Sequence, residues 1–437
     1  MQNDKINLSL IIPIGLMLFS FFFGAGNLIF PPVLGQMAGE NISWGMLGFC
    51  LSGVGFPLLG VLTMAMKQSD NPDSIAMPMH PLYARAVTIL CALAIGPLFA
   101  IPRTAAVSFD TGIHSLLPAS CETIGLPVYT VFFFVLTYFF SINPSKIIGH
   151  IGKFLSPMLL ICLAVLVVCV FVNPTGSLKM PNPDFAASPF FRGFQEGYNL
   201  AAILFGSITI KAIEAQGITD KKVLTKLCSY AGLIAAFFLA IIYAALAYTG
   251  ALSINVFGVI PNGATLLSKI CTYYMGFGGQ VVLALIIFFA CLTTSIGLTT
   301  AISGYFAELS NNRMQYERLV FFVSAFSLVV ANFGLENIIK FSIPVICMLY
   351  PIIIALVILN IGRAIIHDDQ LTFRICLILT TIFAVFDGLR VANIRFMALD
   401  NFLAQNLPLF DIGFGWVVPC FGGIAVGLLL KAVRKAN

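Results

Sequence analysis

The chain has 437 residues and a formal net charge of +5, and 59% of its residues are hydrophobic whereas only 9% are charged. Soluble domains carry about 25% charged residues, so this composition excludes a soluble protein, a disordered or coiled-coil chain and a nucleic-acid-binding protein. The mean hydropathy of +1.00 and the need for about 20 apolar residues per spanning helix predict an all-α polytopic membrane protein, with one integral membrane domain over residues 1–437.

Twelve apolar segments follow one another along the chain, and short loops with turn residues separate them. Backbone groups find no water partner in the hydrocarbon, so each segment is predicted to be a transmembrane helix. The predicted spans are 10–38, 44–66, 84–113, 126–142, 147–172, 190–213, 224–250, 278–309, 319–334, 341–362, 371–389 and 413–433.

Lysine and arginine indicate the orientation of these spans. If the amino terminus is cytoplasmic, 16 of the 23 basic residues fall on the cytoplasmic side. The positive-inside rule requires such an excess. We therefore predict a multi-pass protein whose amino and carboxyl termini are both cytoplasmic.

The first span contains a cluster of helix-breaking residues, Gly24-Ala25-Gly26-Asn27, followed by Pro31-Pro32. Glycine has no side chain to favour helical geometry, and proline removes a backbone donor. These residues predict an unwound stretch at membrane depth, which is tolerated only where the backbone lines a cavity in the protein. A proline kink with a close helix–helix contact at the glycines is the alternative.

The sixth span is interrupted in a corresponding place by Gly193, Gly197, Tyr198, Asn199 and Gly206. Breaks in the first and sixth spans are typical of two inverted repeats of five helices. We place the repeats at about 10–172 and 190–362, with two additional helices within 371–433.

Half-helices that end inside a membrane expose unpaired N–H groups at one end and unpaired C=O groups at the other. The N–H end suits a carboxylate, and the C=O end suits an ammonium group or a small cation. A zwitterionic amino acid with a co-transported cation fits both ends, so the broken spans predict a site for these two solutes.

Three consecutive hydroxyl residues, Thr293, Thr294 and Ser295, lie in the eighth span. Hydroxyl and carbonyl oxygens form the hard-oxygen environment that sodium prefers. The alternative is that these hydroxyls bond to the preceding turn or to a neighbouring helix.

Few charged residues lie inside the spans, where a charge costs about 2.5–3.5 kcal/mol. Arg103 in the third span and Glu196 in the sixth are interpreted as a possible extracellular gate pair, with interfacial snorkelling as the alternative for Arg103. Asp387 and Arg390, three residues apart in the eleventh span, are interpreted as a local ion pair.

Several strings in register over nearly the whole chain resemble the bacterial branched-chain amino-acid:cation symporters. They are Phe23 to Pro32, Gly96-Pro97, Ile101 to Ala105, Glu196-Gly197-Tyr198, Ala290 to Thr300 and Leu349-Tyr350-Pro351. The resemblance implies import of leucine, isoleucine and valine across the bacterial inner membrane. It also implies the LeuT-type fold, in which the first and sixth spans are unwound around the substrate.

The resemblance also implies site residues. Gly24 to Asn27 would form the substrate-binding break, with Tyr198 and Asn199 at the second break. Carbonyls of Ser20 and Phe23 would hold sodium together with Thr294 and either Thr293 or Ser295.

One departure from the family lies in the sixth span. The family usually reads E-G-Y-x-T-M-D-x-L-A, whereas Glu196-Gly197-Tyr198-Asn199 here runs directly into Leu200. Four residues, about one helical turn, are absent, including the aspartate.

The sequence thus predicts a secondary transporter with alternating access, in which sodium is favoured over the proton as coupling ion. The partners that the sequence predicts are the amino-acid substrate and the lipid bilayer. It predicts that the protein is not an enzyme and has no cofactor, no nucleic-acid partner and no obligatory protein partner. The alternatives are a proton-coupled carrier of broader apolar amino acids including methionine, a transporter-fold sensor, and an ion channel, although no channel filter is visible.

Overall fold

The computed structural model describes residues 8–114, 122–198, 200–367 and 369–436. Every regular element within these ranges is helical, which confirms the all-α prediction. In the same ranges, nine helical stretches are long and apolar enough to cross a membrane.

The helices in chain order are α1 Leu8–Phe22, α2 Ala25–Ala38, α3 Ile42–Cys50, α4 Phe56–Lys67, α5 Pro81–Leu93, α6 Ala100–Val107, α7 Glu122–Ser141, α8 Ser156–Val172, α9 Pro183–Ala186, α10 Pro189–Glu196, α11 Ala202–Glu214, α12 Lys221–Phe257, α13 Gly263–Leu309, α14 Tyr316–Ala331, α15 Leu335–Ile361, α16 Arg363–Ile366, α17 Gln370–Val391, α18 Met397–Asn406 and α19 Val417–Ala436. Wider turns of the π type connect α3 to α4, interrupt and extend the third span around α6, and precede α8.

Each of the twelve predicted spans corresponds to one helix or to a broken pair. Nine long apolar stretches are consistent with twelve predicted spans, because three of the spans are divided or are too short to be counted as long stretches. The run Gly26–Lys67 joins the second half of the first span to the second span. The other half of the first span has 15 residues, the ninth span has 16, and the sixth is divided between α10 and α11.

The first span breaks at Phe23 and Gly24, between α1 and α2. Gly24 is extended, with φ −100° and ψ −170°. Because the amide of Leu28 is the first in α2 to bond back, to the carbonyl of Gly24 at 3.2 Å, the amides of residues 25–27 lack intrahelical acceptors. Pro31 and Pro32 lie inside α2 and do not end it, so the glycine marks the break.

The sixth span breaks between α10, which ends at Glu196, and α11, which begins at Ala202. Asn199 lies outside the described residues. Two of the predicted interrupting glycines serve packing instead of a break. A Cβ on Gly193 would collide with the carbonyl of Gly45 on α3, and Gly206 lies within α11 against Val61 and Met64 of α4.

The third span also bends, which the sequence prediction of an uninterrupted helix over 84–113 missed. Gly96 is non-helical, with φ −94° and ψ −130°, and Pro97 follows it. Proline cannot donate the hydrogen bond that would continue the helix. The bend separates α5 from α6 and sets the direction of α6, which carries Arg103.

The broken first span is enclosed by α12 and α13. Its second half, α2, approaches α12 so closely that a Cβ on Gly35 would collide with the carbonyl of Ala247. On the other side, Gly24 lies next to Thr294 of α13, where an added Cβ would be 3.1 Å from the threonine hydroxyl oxygen. The break is therefore inside the protein and does not face lipid.

Candidate substrate and cation site

A cavity with about 690 Å³ of empty space lies between the two helix breaks; we call it the central cavity. Its walls include six of the residues predicted for the substrate, the cation or the gate, namely Gly24, Gly26, Asn27, Arg103, Tyr198 and Thr294. Ala25 is the first residue of α2, at the same break.

Two groups that carry positive charge or partial positive charge lie at one wall of the central cavity. One is the amino-terminal end of α2, where the amides of residues 25–27 lack intrahelical acceptors. The other is Arg103, whose Nη2 atom would be 3.6 Å from a Cβ placed on Gly26. A helix amino terminus and a guanidinium both stabilise a carboxylate, so this wall can bind an anionic group.

The side chain of Arg103 has no partner within the described part of the chain: its guanidinium donates no hydrogen bond and forms no ion pair there. A half-buried guanidinium without a partner loses hydration and gains nothing in return. It is therefore available to an anionic ligand in the cavity.

The rest of the central cavity is mainly apolar. These walls are formed by Phe21, Phe22, Ala94, Ile95, Phe99, Ala100, Leu200, Ala201, Phe205, Leu298 and Ile346. An aliphatic side chain of a few carbons can be buried against them, at about 25 cal/mol for each Å² removed from water.

Asn27 holds α2 in place. Its amide nitrogen donates a hydrogen bond to the hydroxyl of Tyr243 on α12, and Tyr243 is 0% exposed. The tyrosine ring is packed between Phe23, stacked at 5.9 Å, and Phe49, edge-on at 5.1 Å. The polar residue of the first break is thus anchored in a fixed aromatic cluster.

Tyr198 fixes the second break. Its ring stacks on that of Tyr350 of α15 at a centroid distance of 4.2 Å. The hydroxyl of Tyr350 donates to the carbonyl of Ser52, at 2.7 Å, in the turn between α3 and α4. The break in the sixth span is therefore tied to the second and tenth spans.

Oxygen atoms of α1 and α13 converge beside the first break. Thr294 Oγ1 lies 3.1 Å from the carbonyl oxygen of Ser20 and 3.3 Å from that of Phe21. Thr293 Oγ1 lies 3.3 Å from the Ser20 carbonyl and 3.1 Å from that of Ala290. These five neutral oxygens, which we call the oxygen cluster, form a donor set that a hard monovalent cation can use.

One of the hydroxyl residues predicted for the cation, Ser295, lies outside the oxygen cluster. Ser295 points to α7, where its hydroxyl oxygen is 3.2 Å from that of Thr137, so Thr293 is the hydroxyl that joins Thr294. Phe23 is buried, and its ring packs on Phe19 and Tyr243.

The sequence analysis missed Ser156, the first residue of α8. Its hydroxyl oxygen is 2.6 Å from that of Ser20 and 3.0 Å from the carbonyl of Leu16. It therefore links the fifth span to the carbonyl-bearing end of α1. The only signal in the sequence was a single serine beside Pro157 in an otherwise apolar run, which is too common in membrane helices to identify a site.

A second cavity, with about 1,250 Å³ of empty space, adjoins the central cavity. Arg103 lines both cavities, as do Gly26, Asn27, Tyr198 and Ile346. Glu196 lines the second cavity as well, but in the described residues no ion pair within 4.0 Å joins it to Arg103. The two residues of the predicted gate are brought to one cavity without contact between their charges.

The expected ion pair of Asp387 and Arg390 does not form. Arg390 donates to the carbonyl of Phe410 at 2.8 Å, and its guanidinium lies 4.2 Å from the centroid of the Phe410 ring. Residues three apart on a helix can pair, but here the loop before α19 offers the arginine a better partner.

At the opposite end of the bundle, where the chain begins, the loop between α4 and α5 is held against α13 and α15. Tyr305 of α13 donates to Asp73 of this loop at 2.9 Å, and Asn360 of α15 donates to the carbonyl of Ile75, also at 2.9 Å. Lys211 of α11 forms an ion pair with Glu308 of α13. We call these contacts the first-loop closure.

Comparison with known proteins agrees with this architecture. The chain can be superimposed on Mhp1, a nucleobase-cation-symport-1 family transporter in a closed conformation with bromovinylhydantoin bound, with a TM-score of 0.60 at 11% identity over 98% of this chain and 93% of that one. It is also similar to MhsT in complex with L-phenylalanine, with a TM-score of 0.57 at 14% identity over 96% and 98% of the two chains. The fold is therefore that of the LeuT-type transporters.

Similarity in sequence identifies the family, whereas similarity in structure identifies only the fold. The profile of the family described as "Branched-chain amino acid transport protein" matches residues 7–434. The branched-chain amino acid permease BrnQ of Bacillus subtilis (strain 168) is 42% identical over 437 residues, which cover 99% of each chain. This chain belongs to that family of membrane transport proteins, and not to an enzyme family.

Proposed function

We propose that this protein imports leucine, isoleucine and valine across the bacterial inner membrane by cation symport, through alternating access. The observation that carries the proposal is the central cavity, where Arg103, which has no partner among the described residues, and the amide end of α2 adjoin apolar walls. A carboxylate and an aliphatic side chain are what such a cavity binds best. Membership of the family supports the same substrates.

The charged groups of the amino acid are assigned by the polarity of the half-helices. The α-carboxylate lies against Arg103 and the amides of residues 25–27. The α-ammonium group lies against the carbonyl ends of α1 and α10, which end at the first and the second break respectively. One methylene is worth only ~1–3 kcal/mol of discrimination, so leucine, isoleucine and valine compete for one site, and methionine is a weaker competitor.

Sodium is the coupling ion that the oxygen cluster favours. Its five oxygens are carbonyls and hydroxyls, which coordinate sodium but do not take up a proton near neutral pH. The cation brings α1 and α13 together beside the first break. In this way its binding organises the amide end of α2 for the substrate.

The excess of basic residues places the end of the bundle that holds the first-loop closure in the cytoplasm. In the described arrangement the cytoplasmic side is then the closed side, and the second cavity lies toward the exterior. Both termini are cytoplasmic in this orientation.

Uptake of radiolabelled leucine into proteoliposomes tests the proposal. An inward sodium gradient is expected to drive accumulation that isoleucine and valine inhibit, and a pH gradient alone is expected to drive much less. Liposomes without protein and proteoliposomes without a gradient are the controls. An absence of uptake under both gradients would contradict the proposed function.

We expect the first-loop closure to be needed for leucine accumulation. Tyr305→Phe removes the hydrogen bond to Asp73, and a hydrogen bond to a charged group contributes about 1.5–3 kcal/mol. The closed cytoplasmic side is therefore destabilised, and steady-state leucine accumulation is expected to fall severalfold while exchange of internal for external leucine continues.

The matched control is Tyr129→Phe, since the Tyr129 hydroxyl oxygen is 2.6 Å from that of Ser108, outside the first-loop closure. It is expected to retain accumulation. Equal losses in the two variants would show that the contact with Asp73 has no special role in closure.

A further inference from the structure

Asp387 lies on α17, one of the two helices beyond the predicted repeats, and lines the second cavity. The residue is only 5% exposed. Within the described part of the chain, neither of its carboxylate oxygens has a hydrogen-bond partner within 3.5 Å. None of the roles assigned above to substrate or cation uses this group.

Within the described residues, Asp387 forms no ion pair within 4.0 Å, and Arg390 is the nearest positive charge that acts on it. Arg390, one turn further along α17, is held by the carbonyl and ring of Phe410. Arg103 and Glu196 line the same cavity, and in the described residues neither forms an ion pair with Asp387 within 4.0 Å.

The other groups around Asp387 are neutral. Cys347 of α15 and Tyr198 of the sixth-span break are the neighbouring titratable side chains. On the side of α19, the backbone of Gly415 and Trp416 faces the carboxylate. Arg390 and these backbone dipoles favour the ionised carboxylate, but burial, which disfavours it, is the larger effect, and no ion pair forms within the described residues.

A buried carboxylate without a counter-ion is unstable in its ionised form. Charges inside membrane-spanning segments are costly, and burial of an unpaired charge in a protein is strongly destabilising. Such a group takes up a proton and becomes neutral.

We propose that Asp387 is a proton-binding site of the transport cycle, separate from the oxygen cluster. The carboxyl group is protonated in the buried arrangement described here. It releases its proton to water when the second cavity opens and exposes it. This inference goes beyond the proposed function, since it holds whichever cation drives uptake at the oxygen cluster.

The position of Asp387 connects its protonation to the moving parts of the protein. Gly388, the next residue, packs so closely on α15 that a Cβ there would collide with Met348. The helix α15 also carries Tyr350, which stacks on Tyr198 at the sixth-span break. A movement of α17 that exposes Asp387 is therefore transmitted through α15 to the break in the sixth span.

The sign of the pH effect follows from this scheme. At high external pH the exposed carboxyl group stays ionised, so the buried arrangement is disfavoured and leucine uptake falls. Asp387→Asn mimics the protonated form and cannot ionise. Its uptake is expected to equal that of the wild type at low pH and to remain nearly constant as the pH rises.

The experiment measures leucine uptake by reconstituted protein between about pH 5 and about pH 9 at a constant sodium gradient, a range that covers the ionisation of exposed and buried carboxyl groups. Rates are normalised to the amount of folded protein. The control is Asp411→Asn, which changes an exposed aspartate in the loop before α19 and is expected to keep the wild-type pH profile.

Two pH profiles and one binding result would each overturn the inference. One is the same pH profile in Asp387→Asn and the wild type, and the other is a flat profile in the wild type, which decides the question even if the variant does not fold. Loss of leucine binding at every pH in folded Asp387→Asn, with recovery in Asp387→Glu, would also overturn it, because Asp387 would then bind the substrate ammonium. Wild-type uptake under a sodium gradient would leave the proposed function intact in each case.

Discussion

Arg103→Gln is expected to lower the affinity of the transporter for leucine roughly 10- to 100-fold. A charge-assisted hydrogen bond contributes about 1.5–3 kcal/mol, and each 1.4 kcal/mol corresponds to a factor of ten in affinity. The guanidinium has no partner in the described protein that could take up the lost interaction. Binding of radiolabelled leucine to purified protein in sodium measures the effect.

Two variants accompany Arg103→Gln. Arg103→Lys keeps the charge but loses the planar fork that matches a carboxylate, so an intermediate affinity is expected. Arg192→Gln is the matched control, because Arg192 is an exposed arginine on α10 outside both cavities. Wild-type affinity in folded Arg103→Gln would remove Arg103 from the site.

Thr294→Val is expected to abolish most of the sodium stimulation of leucine uptake. Valine has nearly the shape of threonine but no hydroxyl, so the oxygen cluster loses the atom that faces the carbonyls of both Ser20 and Phe21. The sodium concentration for half-maximal uptake is expected to rise at least about tenfold, as the loss of one ligand oxygen worth ~1.5–3 kcal/mol implies. Initial rates measured against sodium concentration show the shift.

Ser295→Ala is the matched control for Thr294→Val. Ser295 is the next residue on α13 and is also buried, but its hydroxyl faces Thr137 of α7. It is expected to keep the sodium dependence of the wild type. If Ser295→Ala lost sodium stimulation and Thr294→Val did not, the oxygen cluster would be assigned to the wrong face of α13.

The helices were predictable because apolar length alone specifies a membrane span. The break of the first span was predictable as well, since Gly24 and its neighbours interrupt a strongly apolar run. The prolines were misleading, because Pro31 and Pro32 lie within α2 without ending it. Neighbouring helices can satisfy the backbone groups that proline frees in a membrane helix, and no local sequence signal reports such neighbours.

The side-chain partners were much less predictable. Thr293 and Thr294 were identified, but the choice between Thr293 and Ser295 needed the rotation of α13 relative to α1. Ser156 was missed because its role depends on the contact between the first and fifth spans, more than 130 residues apart in sequence. The partner of Arg390 was predicted wrongly because a local spacing rule cannot anticipate a distant carbonyl and ring.

The gate interpretation of Arg103 illustrates the same limit. The sequence showed two rare charges, Arg103 and Glu196, and opposite charges invite pairing. The bend at Gly96 directs α6 so that the guanidinium lies beside Gly26 of the first break. The arginine is therefore better placed to meet a ligand than to meet the glutamate.

The central claim is that the first break and Arg103 bind the carboxylate of the amino acid. Competition binding with leucine and leucinol, in the wild type and in Arg103→Gln, tests this claim most directly, because leucinol keeps the ammonium group and the side chain but has no carboxylate. The account predicts that the wild type strongly prefers leucine and that most of this preference disappears in Arg103→Gln. An equal preference for leucine in both proteins would contradict it.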